Sequence, residues 1–214
     1  YTKYTKYMSL HQIEKDYVVD VYEQIADQFN QTRGYVWPSV KKFINSLSPE
    51  IHNKILEIGC GNGRNMLYRP ELNMIGCDII QKFIDICKKR NLNVTFSDQR
   101  ALHYESNTFD VILSIAVLHH LYLKDDRTKS VNEIIRVLKH NGLCYIQVWK
   151  NIDPNDEDNS HFVNWCDVQN KKTYKRFYHL FQEYEFRNLF DRDDIKIIKF
   201  YEEKDNYICI FQKI

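Results

Sequence analysis

Three glycines, at positions 59, 61 and 63 of Glu57-Ile58-Gly59-Cys60-Gly61-Asn62-Gly63, constrain this chain more than any other segment. They follow a short apolar run, Lys54–Ile58, that reads as a buried strand ending in glycine. Glycine allows a tight turn there and lets a ligand approach the backbone closely. A strand running into such a turn opens a parallel β-α-β unit, and the following residues keep that rhythm. Asn73–Asp78, Leu92–Ser97, Phe109–Ala116 and Leu143–Trp149 read as further strands. Helices are expected over Gln81–Arg90 and Lys124–Leu138, the second stopped by His140-Asn141-Gly142. The end of the chain differs. A helix over Phe181–Phe190 precedes two strands, Ile195–Tyr201 and Tyr207–Phe211, whose short polar link, Glu202–Asn206, suits a hairpin. The expected fold is therefore α/β: a doubly wound sheet, mostly parallel, with a C-terminal antiparallel hairpin and helices on both faces.

Ahead of this core, Ile13, Tyr17, Val18, Val21, Tyr22, Ile25 and Phe29 recur at helical spacing and predict an amphipathic helix. Gln31–Pro38 reads as a loop, and Pro38 opens a second helix through Ile44. Residues 1–12 begin with the polar repeat Tyr-Thr-Lys-Tyr-Thr-Lys-Tyr and are expected to be a frayed leader, leaving 13–214 as a single domain. Asn151–Ser160, polar and acidic, is the clearest loop. No apolar run is long enough for a membrane span, and no membrane partner is expected. The six cysteines, at 60, 77, 87, 144, 166 and 209, form no CxxC pair. They suggest neither a zinc site nor a redox motif; reduced, mostly buried thiols of an intracellular protein are expected, and no metal. A net charge of +1 does not announce a nucleic-acid binder, so a local patch would have to do so. The best one is Lys171, Lys172, Lys175 and Arg176 beside Tyr174, Phe177 and Tyr178, cations and aromatics that suit phosphate contacts and base stacking.

Asp78 ends the second strand, where a carboxylate meets ribose hydroxyls in dinucleotide folds, and Asp98 follows the third. The glycine spacing is G-x-G-x-G rather than G-x-G-x-x-G, with Glu57 two positions ahead of the first glycine. That favours S-adenosylmethionine (SAM) over a nicotinamide dinucleotide. SAM has no pyrophosphate for a helix N-terminus to hold, but carries a cationic amino-acid end that a carboxylate can approach.

Leu56-Glu57-Ile58-Gly59-Cys60-Gly61-Asn62-Gly63, then Gly76-Cys77-Asp78, then Phe109 to Leu121, then Glu133 to Trp149 resemble the class I SAM-dependent methyltransferases and their Rossmann-like sheet. Further segments narrow the resemblance: Val21 to Ala26 with Phe29, Thr32-Arg33, Trp37-Pro38, Ser114 to His120, and Arg176-Phe177-Tyr178-His179. These are similar to the eukaryotic tRNA wobble-uridine methyltransferases, which esterify 5-carboxymethyluridine in the anticodon loop. The resemblance implies SAM bound by Glu57, Gly59, Gly61, Asn62, Gly63, Asp78, Ile79, Asp98, Gln99 and Ile115. It implies Arg33, His119, Arg176, Tyr178 and His179 on the catalytic, substrate-facing side, with 150–180 as a substrate-side insertion. It also implies a small zinc-binding activator subunit, expected at the edge strand Leu92–Ser97 with help from Ile75, Phe83 and Ile86, and a location in the cytoplasm or nucleus. The chain departs from the pattern in a shortened stretch between Trp149 and Arg176, and in Phe177 and His103, where tyrosine and proline are usual. Two other functions remain open at this point: a small-molecule methyltransferase with Ile13–Phe29 as its lid, and a non-catalytic SAM-binding scaffold.

Overall fold

The computed structural model describes residues 11–153, 159–167 and 170–214. The expected leader lies almost wholly outside these residues, as does the middle of the acidic loop. The N-terminal helix is present but interrupted. A short α1 (Gln12–Glu14) runs into a π-helical turn, Lys15–Val19, and then into α2 (Asp20–Thr32). A π turn shifts the register of the face that follows it. Here Val18, Val19, Tyr22, Ile25 and Ala26 are all buried. After the loop, α3 (Pro38–Asn45) starts on its proline, as expected of a residue that needs no helical N–H donor.

Among the described residues, nine strands follow the expected alternation and add one hairpin to it. They are β1 (Ile55–Ile58), β2 (Ile75–Asp78), β3 (Val94–Phe96), β4 (Phe109–Ile115), β5 (Leu138–Trp149), β6 (Ser160–Asp167), β7 (Lys172–His179), β8 (Ile195–Glu203) and β9 (Asn206–Lys213). The remaining helices are α4 (Gln81–Lys89), α5 (Lys124–Val137) and α6 (Glu183–Asn188). The main sheet has the order β3-β2-β1-β4-β5-β9-β8. Its first five strands are parallel; β9 pairs antiparallel with β5, and β8 with β9.

Side chains alternate across the sheet with period two. Leu56, Ile58, Ile112 and Ile146 pack with Val131 and Ile134 of α5 and Phe186 of α6. Ile55, Val111, Leu113 and Tyr145 pack on the other face with Val40 and Ile44 of α3 and Ile84 of α4. Each such fully buried side chain contributes about 1.5–3 kcal/mol, which fixes both register and face. A third cluster joins the N-terminal helices to Phe83 and Ile86 of α4 and to Trp165 and Phe177 of the β6–β7 hairpin.

Four expectations need correction. The α5 helix does not stop at His140-Asn141-Gly142: it ends at Val137 and passes straight into β5, because the N–H groups of Asn107 and Thr108 take up the carbonyls of Arg136 and Val137. The final helix is shorter than Phe181–Phe190, since Phe181 instead exchanges backbone hydrogen bonds with Trp149 and Asn151. The stretch before Arg176 contains an antiparallel pair that the sequence analysis did not assign, β6 with β7, placing Trp165 opposite Tyr174. Finally, β3 does lie at the sheet edge, but Phe83 and Ile86 beside it are only 4% and 8% exposed and are spent on the core rather than on an outside partner.

Candidate active site

The carboxyl ends of β1 and β2 build one wall of a cavity of about 210 Å³. Gly59, Gly61 and Gly63 all have positive φ, at 63°, 54° and 75°. At Gly59 a Cβ would stand 2.3 Å from Val117 Cγ2, so only glycine fits. Asp78 holds the loop: its Oδ2 accepts the Gly61 N–H at 2.8 Å and its Oδ1 accepts the Ile80 N–H at 2.9 Å. Burial nevertheless pushes its carboxyl up to about 6, against those N–H groups. Glu57 is 2% exposed. Its Oε1 accepts from the Asn65 amide at 2.6 Å, while Oε2 is buried with no partner among the described residues. Burial pushes Glu57 up to about 7. An orphaned carboxylate oxygen is costly to bury. It suits a ligand ammonium, and a carboxylate at Asp78 suits vicinal hydroxyls.

Asn62, Ile79, Asp98, Gln99 and Ile115 also line the cavity. Asn62 ties the loop to the N-terminal helix region through Asn30 and the Arg33 carbonyl. Asp98 is gripped by Arg100 at 3.0 and 2.6 Å, and the same guanidinium reaches Glu14 at 3.0 Å and Asp126 at 2.8 Å. Ser130 donates to Gln99 Oε1, which turns the amide nitrogen of Gln99 the other way. Gly63 does not line the cavity; its α-carbon packs so closely on Leu92 and Cys87 that a side chain would collide.

The hairpin supplies the opposite chemistry. Arg176 on β7 is 7% exposed and its Nε is buried without a partner among the described residues. Its guanidinium lies 4.9 Å over the Trp165 ring and 5.2 Å over that of Tyr178. Tyr178 stacks on Trp149 at 4.4 Å, nearly parallel. Arg33 lines the mouth, exposed, with its guanidinium 5.0 Å over Trp165. His119 lines the cavity too, but its Nδ1 accepts the Trp149 N–H at 3.1 Å. Burial holds it well below its ordinary value, so it is neutral. His179 is not brought to the cavity: its Nε2 lies 2.8 Å from Glu185, which also pairs with Arg127 at 3.1 Å. Burial keeps His179 neutral, and it donates to the Glu185 carboxylate.

Sequence reasoning missed Glu14, Tyr22, Arg100 and Trp165 as cavity residues or supports of them. Glu14 is 3% exposed and bonds both Arg100 and the Tyr122 N–H. A glutamate inside an apolar helical stripe is the one local hint that it has a partner.

The description "Methyltransferase domain" fits residues 56–146. A SAM-dependent methyltransferase from Methanosarcina mazei shares the architecture, with a TM-score of 0.66 and 19% identity over 84% of this chain and 98% of that one. The fold is that of a SAM-dependent methyltransferase. The tRNA (carboxymethyluridine(34)-5-O)-methyltransferase of Schizosaccharomyces pombe is 31% identical over 94% of this chain and 97% of its own length. Its counterpart from Arabidopsis thaliana is 39% identical over 76% of this chain, which spans only 39% of that longer protein. The chain belongs to the family of the tRNA (carboxymethyluridine(34)-5-O)-methyltransferases.

Proposed function

We propose that this chain esterifies the carboxymethyl group of wobble uridine in a tRNA anticodon loop, with S-adenosylmethionine as methyl donor. The observation that carries the reading is Arg176, a buried cation with an unpartnered Nε in the same cavity as the orphaned carboxylate oxygen of Glu57. One cavity thus offers an anionic end for an ammonium and a cationic end for a carboxylate. The names of the relatives in Schizosaccharomyces pombe and Arabidopsis thaliana support the acceptor.

S-adenosylmethionine, when bound, supplies a methyl carbon activated by a positively charged sulfur. Glu57 and Asn65 would hold its amino-acid end, Asp78 its ribose, and the Asp98–Gln99 wall its adenine. A carboxylate acceptor is ionised at neutral pH, so no general base is needed. The residues have to align the reactants and exclude water. Arg176 would hold one carboxylate oxygen by a charge-assisted hydrogen bond, leaving the other to attack. Tyr178 and Trp149, stacked, form a flat wall against which a base or its substituent can lie. Arg33 and the lysines of β7 would meet phosphates outside, with 150–180 as the substrate-side part of a single domain, 13–214.

Label transfer from radioactive S-adenosylmethionine to tRNA lacking the ester, followed by nucleoside mass spectrometry, tests this. A methyl ester of carboxymethyluridine is expected; label in a small molecule but never in RNA would overturn it. The small-molecule alternative has one observation in its favour, since Glu14, Val18, Val19 and Tyr22 of the N-terminal helices do cover the cavity.

A small zinc-binding activator subunit is part of the same proposal. The edge position of β3, with no proline or charge in Leu92–Ser97, supports strand addition there. Phe96→Pro removes an edge amide and is expected to weaken activator binding; unchanged binding, or binding that maps to β8, would refute the site. The cytoplasm or nucleus is the proposed location, where tRNA would be met.

A further inference from the structure

Behind the Arg176 guanidinium lies a chain of polar side chains from three distant segments, and one carbonyl sets the direction of every proton in it. His120 Nδ1 lies 2.9 Å from the Phe177 carbonyl oxygen. A carbonyl can only accept, so Nδ1 carries the hydrogen. The loss of solvation around His120 pushes its imidazole down to about 4, so at neutral pH it is uncharged. A neutral imidazole with its hydrogen on Nδ1 has a bare Nε2. That Nε2 is 3.2 Å from the Tyr22 hydroxyl, which must therefore donate to it. The Tyr22 oxygen then has only lone pairs left. It lies 3.2 Å from the Tyr178 hydroxyl and 3.4 Å from Arg176 Nη1, so both donate to it. Tyr22 is 7% exposed and Tyr178 2% exposed, so neither hydroxyl can satisfy itself from bulk water.

We propose that Tyr22 and His120 are positioning residues that fix the polarity of the acceptor pocket: they draw the Tyr178 hydroxyl and one Arg176 nitrogen inward, so that the remaining Arg176 donors face the substrate. The inference rests on the reading that an anionic acceptor sits on Arg176. The pocket then offers a cation's donors together with a hydroxyl whose hydrogen is already committed. A carboxylate is held at one atom, in one orientation, and Tyr178 cannot hydrogen-bond the lone pair that has to attack.

Two measurements on the full chain test this. The first is the 15N chemical shift of the His120 ring at neutral pH, which reads the tautomer without any substrate. An Nδ1–H, Nε2-bare ring is expected; a hydrogen on Nε2 overturns the inference. The second is tRNA methylation kinetics alongside S-adenosylmethionine affinity. Tyr22→Phe removes the hub, and kcat/KM for tRNA is expected to fall about tenfold or more, the scale of a lost hydrogen bond to a charged group, while cofactor affinity stays within about twofold. His120→Leu, of similar volume but without an acceptor, is expected to match it. His120→Gln, whose Oε1 can still accept from Tyr22, is expected to restore most of the activity. Because the residues act in series, Tyr22→Phe combined with His120→Leu is expected to be about as impaired as Tyr22→Phe alone. Additive losses, or equal loss in the Gln and Leu variants, would mark a merely structural role and overturn the inference. If the wild-type chain leaves carboxymethyluridine tRNA unlabelled, the acceptor reading falls and takes this inference with it. If the wild type is active but the ring carries its hydrogen on Nε2, the inference alone falls.

Discussion

The two halves of the cavity are built in opposite ways. The cofactor half is assembled from strand ends and the turns that follow them: Gly59 and Gly61 after β1, Asp78 at the end of β2, Asp98 after β3. Its carboxylates are held by near neighbours: Asp78 by the Gly61 and Ile80 N–H groups, Glu57 by the Asn65 amide and Asp98 by Arg100. The acceptor half is assembled from side chains far apart in the chain. Tyr22, His120, Trp149 and Arg176 meet there, with Trp165 packed against the Arg176 guanidinium, and the Tyr22–Tyr178 contact joins residues 156 apart. Its cation is held by ring faces and a hydroxyl rather than by a carboxylate. The first half therefore rests chiefly on contacts near the strand ends, with ties to the N-terminal helices through Glu14 and Asn30, and the second on how those helices and the β6–β7 hairpin pack together.

Gly59→Ala should show the largest effect on the cofactor half. A left-handed backbone and a Cβ 2.3 Å from Val117 are expected to cost about 2–6 kcal/mol together, read as a lower denaturant midpoint and lost cofactor binding in calorimetry. Near-native stability would mean that the loop relaxes freely. Arg176→Ala is the matching insult to the acceptor half. It is expected to lower kcat/KM for tRNA by about 2–5 kcal/mol in transition-state terms while cofactor affinity hardly moves, and a parallel loss of both would mean that the halves are not separable.

Asp78→Ala should weaken cofactor binding by about 1–3 kcal/mol, with tRNA affinity measured separately remaining unchanged. Glu57 sharpens the contrast through pH. In the free protein its carboxyl is raised from 4.5 to about 7 and that of Asp78 from 3.8 to about 6, both by burial. For a raised acid, the stabilising contribution is present below the unfolded value and lost as pH rises through the folded one. The free protein should therefore lose stability between about pH 4 and 7, as these carboxyls ionise. Binding of an ammonium needs Glu57 ionised, so cofactor affinity should rise toward pH 7 with release of a proton, visible as a buffer-dependent calorimetric heat. In Glu57→Gln the dependence is expected to shrink to the part centred near pH 6 that Asp78 contributes. The smallest effect is expected of Arg33→Ala, an exposed cation stacked on Trp165, at about 0.5–1 kcal/mol, together with a shallower salt dependence of tRNA binding.

The sequence by itself determined the sheet and the cofactor wall. Apolar runs with glycine or aspartate at their ends mark buried parallel strands and the turns beyond them, because the strand period and the demands of positive φ are local properties. Asp78, Glu57 and the glycines are legible for that reason. Composition marked Arg176 and Tyr178 only as part of a basic and aromatic patch; their place on the acceptor side came through resemblance, and His179, named in the same way, pairs with Glu185 outside the cavity. The β6 strand mixes polar and apolar residues without clear alternation, since only Trp165 along it is buried, so nothing local announces the hairpin. In the sequence Tyr22 is one apolar position in a helix, and His120 is only the last residue of the resembled segment that starts at Ser114. What made them a proton-ordered pair was the Phe177 carbonyl arriving from a strand 57 residues away. Only the tertiary structure decided that, because a hydrogen bond's direction depends on which partner cannot donate, and the partner was set by how the hairpin packs.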